Sequence, residues 1–125
     1  MAEHNKLGTW GEDLAAAYLR EKGYSIRDTD WKLGKRDLDI VALTPDQRTI
    51  VFVEVKTRLS DAVMKPEDAV DIKKIRSIGY TANSYIKELD IDLETRFDII
   101  SIIGKHGEQT RIEHIEDAFN PLLAY

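Results

Sequence analysis

Residues 51–58 read VFVEVKTR. Val51, Phe52, Val53 and Val55 are the residues of a buried strand, but Glu54 and Lys56 are not. On a strand from 50 to 57, alternation puts Ile50 and Phe52 on one side with Glu54 and Lys56, and the remaining valines on the other. Both sides begin apolar, so the strand is expected at the centre of a sheet, covered on both faces. The charged pair falls at the C-terminal end of one of these faces. A second strong strand, DLDIVAL at 37–43, has the same design: Asp37 and Asp39 share a side with Val41 and Leu43 and sit at one end of it. TPDQRT at 44–49 is a polar turn, so the two strands are expected to pair as an antiparallel hairpin. In such a hairpin Asp39 approaches Glu54, with Lys56 and Asp37 close by.

The remaining elements follow from the same reading. Leu14, Ala15, Tyr18 and Leu19 recur at helical spacing within 9–22, and Gly23 supplies a stop. Residues 24–31 form a modest strand. Pro66 can open a helix reaching about Leu89, along the stripe Ala69, Ile72, Ile75, Gly79, Ala82, Ile86 and Leu89. RFDIISII at 96–103 is a strand, GKHGEQ at 104–109 a turn, and TRIEHI at 110–115 a weaker strand. EDAFNPLLAY closes the chain as a short helix. The order α-β-β-β-α-β-β predicts an α/β fold with one mixed sheet flanked by helices.

The chain has 125 residues, 42% hydrophobic and 33% charged, the size and composition of a single domain over 1–125 with a real core. Only 3 prolines and 7 glycines argue against disorder. No apolar run approaches the ~20 residues of a membrane span. MAEHNKLGTWGED at the start lacks the apolar stretch of a signal peptide. The absence of cysteine excludes disulfides and thiolate metal sites and fits a cytoplasmic protein. The net charge of −5 speaks mildly against a nucleic-acid partner. Its distribution does not, because Lys32, Lys35, Arg36, Arg48, Lys56, Arg58, Lys65, Lys73, Lys74 and Arg76 gather basic charge within 32–76.

Two carboxylates in a partly dry place repel unless a cation intervenes. A divalent ion is one such cation and Lys56 another. Oxygen donors without cysteine favour Mg²⁺ or Mn²⁺ over Zn²⁺, and a lysine beside the ion can orient a water or steady a phosphate. A simple Glu54–Lys56 ion pair is the alternative. Thr9-Trp10-Gly11-Glu12 fits a helix capping box, in which Glu12 bonds back to the Thr9 amide. Trp10, Trp31, Tyr80 and Tyr85 are either core and rim residues or bases' stacking partners. His4, His106 and His114 lack ligand-like spacing.

DLDIVAL followed by EVK resembles the PD-(D/E)xK nuclease signature. Together with GTWGEDLAAAYLREKGY (8–24), RFDII (96–100) and IEHIEDAF (112–119), it makes the chain similar to the bacterial YraN-type family of predicted endonucleases. The resemblance implies a restriction-endonuclease-like αβββαβ core. It implies Asp39, Glu54 and the Val55 carbonyl as metal ligands for Mg²⁺ or Mn²⁺, and Lys56 as the catalytic lysine. It nominates Glu12 as a further active-site carboxylate, as in junction resolvases. Asp37 stands where the family usually has glutamate and becomes an outer member with shorter reach. Arg58 follows as a phosphate contact, and Lys73, Lys74 and Arg76 are expected on nucleic-acid phosphates.

The implied activity is hydrolysis of DNA phosphodiester bonds, with branched or single-stranded DNA as candidate substrates and a homodimer by analogy with resolvases. A nucleic-acid-binding module that keeps the fold without activity is the alternative. In a third reading the charge cluster is structural and the chain binds a protein partner.

Overall fold

The computed structural model describes residues 2–58, 71–104 and 109–124, with side-chain surroundings over 9–58, 71–104 and 109–122. The elements are helix α1 (Ala2–Glu21), strands β1 (Ser25–Leu33), β2 (Arg36–Leu43) and β3 (Thr49–Arg58), helix α2 (Ile72–Glu88), strands β4 (Glu94–Ile103) and β5 (Arg111–Ile115), and a 3₁₀ turn (Pro121–Ala124). They form one five-stranded sheet in the order β1-β2-β3-β4-β5. β1–β2, β2–β3 and β4–β5 are antiparallel, whereas β3 and β4 run parallel across the α2 crossover. This is the mixed α/β sheet that the pattern predicted, in the αβββαβ order of the restriction-endonuclease-like core that the resemblance implied.

β3 is central and covered on both faces. On one, Ala15, Ala16 and Leu19 of α1 pack over Val51, Val53, Ile40, Ala42, Ile100 and Ile102. On the other, Ile78, Ala82 and Tyr85 of α2 pack over Ile50, Phe52, Val41, Ile99 and Leu38. Each large apolar side chain so buried contributes about 1.5–3 kcal/mol relative to exposure, enough to hold the strand rigid up to its charged end.

Both helices begin elsewhere than expected. α1 runs from Ala2, so Thr9 lies within the helix and is not its N-cap. The capping-box reading of Glu12 is therefore overturned. No proline lies between residues 2 and 9 to stop the helix from extending upstream, and a local T-x-x-E pattern cannot report what precedes it. α2 starts at Ile72, not Pro66. Asp71 is extended (φ −85°, ψ 172°) and its carboxylate accepts from the Lys74 amide at 2.9 Å, an N-cap worth about 1 kcal/mol. Residues 66–70 of the expected helix and 105–108 of the expected 104–109 turn lie outside the described residues. The C-terminal helix is the short 3₁₀ turn.

Candidate functional site: a fork between two strands

The β2–β3 ladder runs from Leu43↔Ile50 to Ile40↔Val53 and ends there. β2 continues to Arg36 paired only with β1, and β3 continues to Arg58 paired only with β4. The two strands thus part like a fork. Alternation in β2 breaks at the same place. Leu38 packs on the α2 face and Ile40 on the α1 face, although residues two apart on a regular strand share a side. Across from Asp39, between the pairs Thr29↔Ile40 and Trp31↔Leu38, Asp30 has a left-handed φ of 51°. The local turn of β2 swings the Asp39 carboxylate into the fork, where its Oδ2 accepts from the Val55 amide at 2.8 Å. A side chain satisfies the N–H that the departing strand leaves behind.

Continuing the register by one residue sets Asp39 opposite Glu54. The two carboxyls interact there, and the interaction raises the Glu54 carboxyl while lowering that of Asp39. Glu54 is only 6% exposed, and its acidity is pushed up to about 8, first by burial and then by the charge of Asp39. Two lysines oppose that rise: Lys56 Nζ lies 3.6 Å and Lys74 Nζ 3.8 Å from Glu54 Oε2. Burial also raises Asp39, against the Val55 N–H and Lys74.

Glu12 enters from α1. A β-carbon at Gly11 would overlap the Thr57 side chain, so helix and strand touch there and bring the next residue, Glu12, to the fork. Burial, then the charge of Asp39, with lesser contributions from Asp30, Asp37 and Asp13, raise Glu12 to about 7. Asp37 is held by Lys32 at 3.5 Å and adds negative charge felt by Asp39 and Glu12.

The fold therefore gathers Asp39, Glu54 and Lys56 at the fork, with Glu12 and Asp37 around them. The expectation for Lys74 changes: it faces Glu54 and is not arrayed with Lys73 and Arg76, which are exposed on the outside of α2. A signal for this was present, because Lys74 begins the buried stripe Ile78, Thr81, Ala82 and Tyr85 at helical spacing. Arg58 is half-buried at the end of β3, its carbonyl accepting from Gly104 N at 2.8 Å. Val55 contributes its amide to Asp39.

The oxygen donors of Asp39 and Glu54 fit a hard cation such as Mg²⁺, which takes one or two carboxylates and keeps waters. Among the described residues no group of three His, Asp or Glu side chains is disposed as a ready metal cage. The fit is thus to a two-carboxylate site completed by water and substrate oxygens.

A second polar cluster escaped the sequence reading. Asp98 is fully buried. It accepts from Arg96 Nη2 at 2.8 Å and Nε at 2.9 Å, and from the Asp117 amide at 3.0 Å. His114 Nε2 lies 2.7 Å from it, and Arg96 also donates to the Tyr24 hydroxyl at 2.7 Å. Burial alone would raise Asp98, but its hydrogen bonds to His114, Arg96 and Asp117 outweigh it and hold the carboxyl below its usual range. The cluster ties β5 and the turn between α1 and β1 to β4. Its members come from five positions between 24 and 117, which no local pattern joins.

No helix among the described residues is long and apolar enough to cross a membrane. Several bacterial proteins share about half their residues with this chain over almost its whole length. One from Phocaeicola vulgatus is 50% identical, covering 97% of this chain and 98% of its own. Another from Bacteroides thetaiotaomicron is 49% identical, covering 98% and 99%, and one from Porphyromonas gingivalis is 48% identical, covering 98% and 90%. Among solved structures, Pyrococcus furiosus SfsA in complex with Ca²⁺ aligns with a TM-score of 0.33 and 14% identity. That alignment covers 90% of this chain and 63% of SfsA, a likeness too slight to carry an argument about function. Residues 11–102, which hold α1 from Gly11, the fork and the parallel strand pair, match the uncharacterised protein family UPF0102, the family that the YraN-type motifs pointed to, and the chain belongs to it.

Proposed function

We propose that this protein is a metal-dependent endonuclease that hydrolyses phosphodiester bonds of DNA. The observation that carries the reading is the fork itself: half-buried Asp39, accepting from the Val55 amide, stands opposite buried Glu54, which has Lys56 and Lys74 at 3.6 and 3.8 Å. Such a cluster is costly to build for structure alone, because every buried charge must be compensated. Asp39 and Glu54, with the Val55 carbonyl, would hold Mg²⁺ or Mn²⁺. The bound ion would supply charge neutralisation for a phosphate oxygen and acidify a water. Lys56 orients the attacking water and steadies the phosphate, so that a new P–O bond forms as the bond to the leaving oxygen breaks. In this reading Glu12, at the rim, takes the water's proton, and solvent water protonates the leaving oxygen. Lys73, Arg76 and Arg58 neutralise flanking phosphates, which makes binding fall steeply with salt. Lys74 balances Glu54.

The test is cleavage of branched, flapped and single-stranded DNA with Mg²⁺ or Mn²⁺. Asp39→Asn is expected to lower the rate at least ~100-fold, the scale of losing a group that stabilises transition-state charge. Equal nicking by wild type and Asp39→Asn would refute the assignment.

One observation favours a second reading, a nucleic-acid-binding module without activity. Lys56 and Lys74 both reach Glu54, and no three-carboxylate cage is present among the described residues. That reading expects salt-sensitive DNA binding unchanged by Glu54→Gln and no heat of Mg²⁺ binding. The third reading, a structural cluster on a partner-binding protein, turns on whether segment 60–66 closes over the fork. That segment lies outside the described residues.

A further inference from the structure

Of the four aromatic residues weighed for stacking, three are accounted for by packing. Tyr85 is fully buried and meets Trp31 and Phe52 edge-to-face, and Trp10 packs against the α1-face core. Tyr80 differs. It is 54% exposed on α2, and the Arg36 guanidinium lies over its ring at 4.5 Å from the centroid. Arg36 opens β2 three residues before Asp39, a strand distance of about 10 Å. Lys73, Arg76 and Tyr80 are spaced i, i+3, i+7 and so share the outward face of α2, while the Lys74 stripe faces the sheet. An aromatic ring is thus set among three exposed cations beside the fork.

Tyr80 also lines an open groove of about 540 Å³ between α2 and the C-terminal turn. Its other walls include Asn83, Phe97, Phe119 and Asn120. At Gly79 the C-terminal turn lies close against α2: a β-carbon there would overlap Pro121. Aromatic faces beside side-chain amides are the groups that hold an unstacked base, the rings covering its face and the amides meeting its edge. A duplex cannot present such a face, because each base is covered by its neighbours.

We infer that Tyr80, with Arg36 over its ring and the groove beside it, binds an unpaired nucleobase, so that the preferred substrate of the fork is single-stranded or frayed nucleic acid. The strand backbone follows Lys73, Arg76 and Arg36 toward Asp39. This rests on the nucleic-acid reading above and adds to it the strandedness of the substrate and the residue that senses it.

The experiment is fluorescence anisotropy in EDTA at low salt, with a short labelled single strand and a blunt duplex of the same sequence. Tyr80→Ala is expected to weaken single-strand binding roughly 5- to 100-fold, the range of losing one stacked base, and to change duplex binding less than about 2-fold. Tyr80→Phe keeps the ring and is expected to bind like wild type. Lys73→Ala with Arg76→Ala should weaken both ligands, because phosphates are common to both. If that double variant weakens binding while Tyr80→Ala leaves single-strand affinity unchanged, or weakens both ligands equally, the base site is refuted and the nucleic-acid reading stands. If wild type binds neither ligand, both fail together. Tyr80 is exposed, so melting curves of the Ala variant should match wild type.

Discussion

Glu54→Gln tests the electrostatics of the fork without needing a substrate. In the folded chain the Glu54 carboxyl is raised from 4.5 to about 8, chiefly by burial and by Asp39. Below pH 4.5 both folded and unfolded chains hold the proton, and it contributes no difference. Between 4.5 and 8 the unfolded chain releases it while the folded chain keeps it, so stability falls as pH rises. Above 8 the loss is complete. At 1.36 kcal/mol per unit the full loss is on the order of 5 kcal/mol, shared by the Asp39–Glu54 pair. For a chain of this length that corresponds to roughly 15–25 °C in melting temperature.

Glutamine at 54 cannot ionise and carries an amide N–H that can donate to Asp39. Lys56 and Lys74 are 32% and 37% exposed and can turn to water when their partner is neutral. The variant is therefore expected to melt near wild type at pH 5 and well above it at pH 9, both in EDTA. Parallel pH profiles for the two proteins would refute the placement of a buried carboxyl, raised by its surroundings, at the fork. Adding Mg²⁺ at pH 9 should raise the wild-type melting temperature and leave the variant nearly unmoved, because neutralising two carboxylates is what the ion would do there.

Asp98→Ala should destabilise the fold by about 3–5 kcal/mol in urea titrations, because it leaves half-buried Arg96 and the enclosed His114 side chain without their common anion. The lowered Asp98 carboxyl contributes stability that is present above its unfolded value of 3.8 and lost as pH falls through its folded value, so the wild type should lose more stability on acidification than the variant. Gly11→Ala should cost about 1–3 kcal/mol in thermal melts, because its methyl meets Thr57, and Thr57→Gly in the same chain should restore part of that loss. Equal melting temperatures for Gly11→Ala and wild type would show that α1 does not touch β3 at this point.

Much of this was legible in the chain. The period-two pattern of 37–43 and 50–57 identified the hairpin, the central strand and the meeting of Asp39 with Glu54, because a covered strand leaves few places for a charge. Where local pattern was the only guide, it misled. Thr9 to Glu12 has the letters of a helix start, yet seven upstream residues continue the helix through it. Pro66 can open a helix, yet Asp71 caps the observed one. Lys74 looked like its neighbour Lys73, and only the facing of α2 on the sheet separates them. Asp98, Arg96 and His114 gave no signal, because hydrogen bonds across 72 positions, as from Arg96 to Tyr24, have no sequence period.

The amino-acid order by itself determined the order of strands and helices, which strand is central and which carboxylates meet at its end. Side-chain alternation and apolar burial are local consequences of backbone geometry. Only the tertiary structure decided that β2 leaves β3 after Ile40, that the Asp39 carboxylate takes the place of the missing backbone acceptor, and that Glu12 and Lys74 arrive from opposite faces. Those outcomes depend on where two helices cross a twisted sheet, which is set by the packing of the whole core.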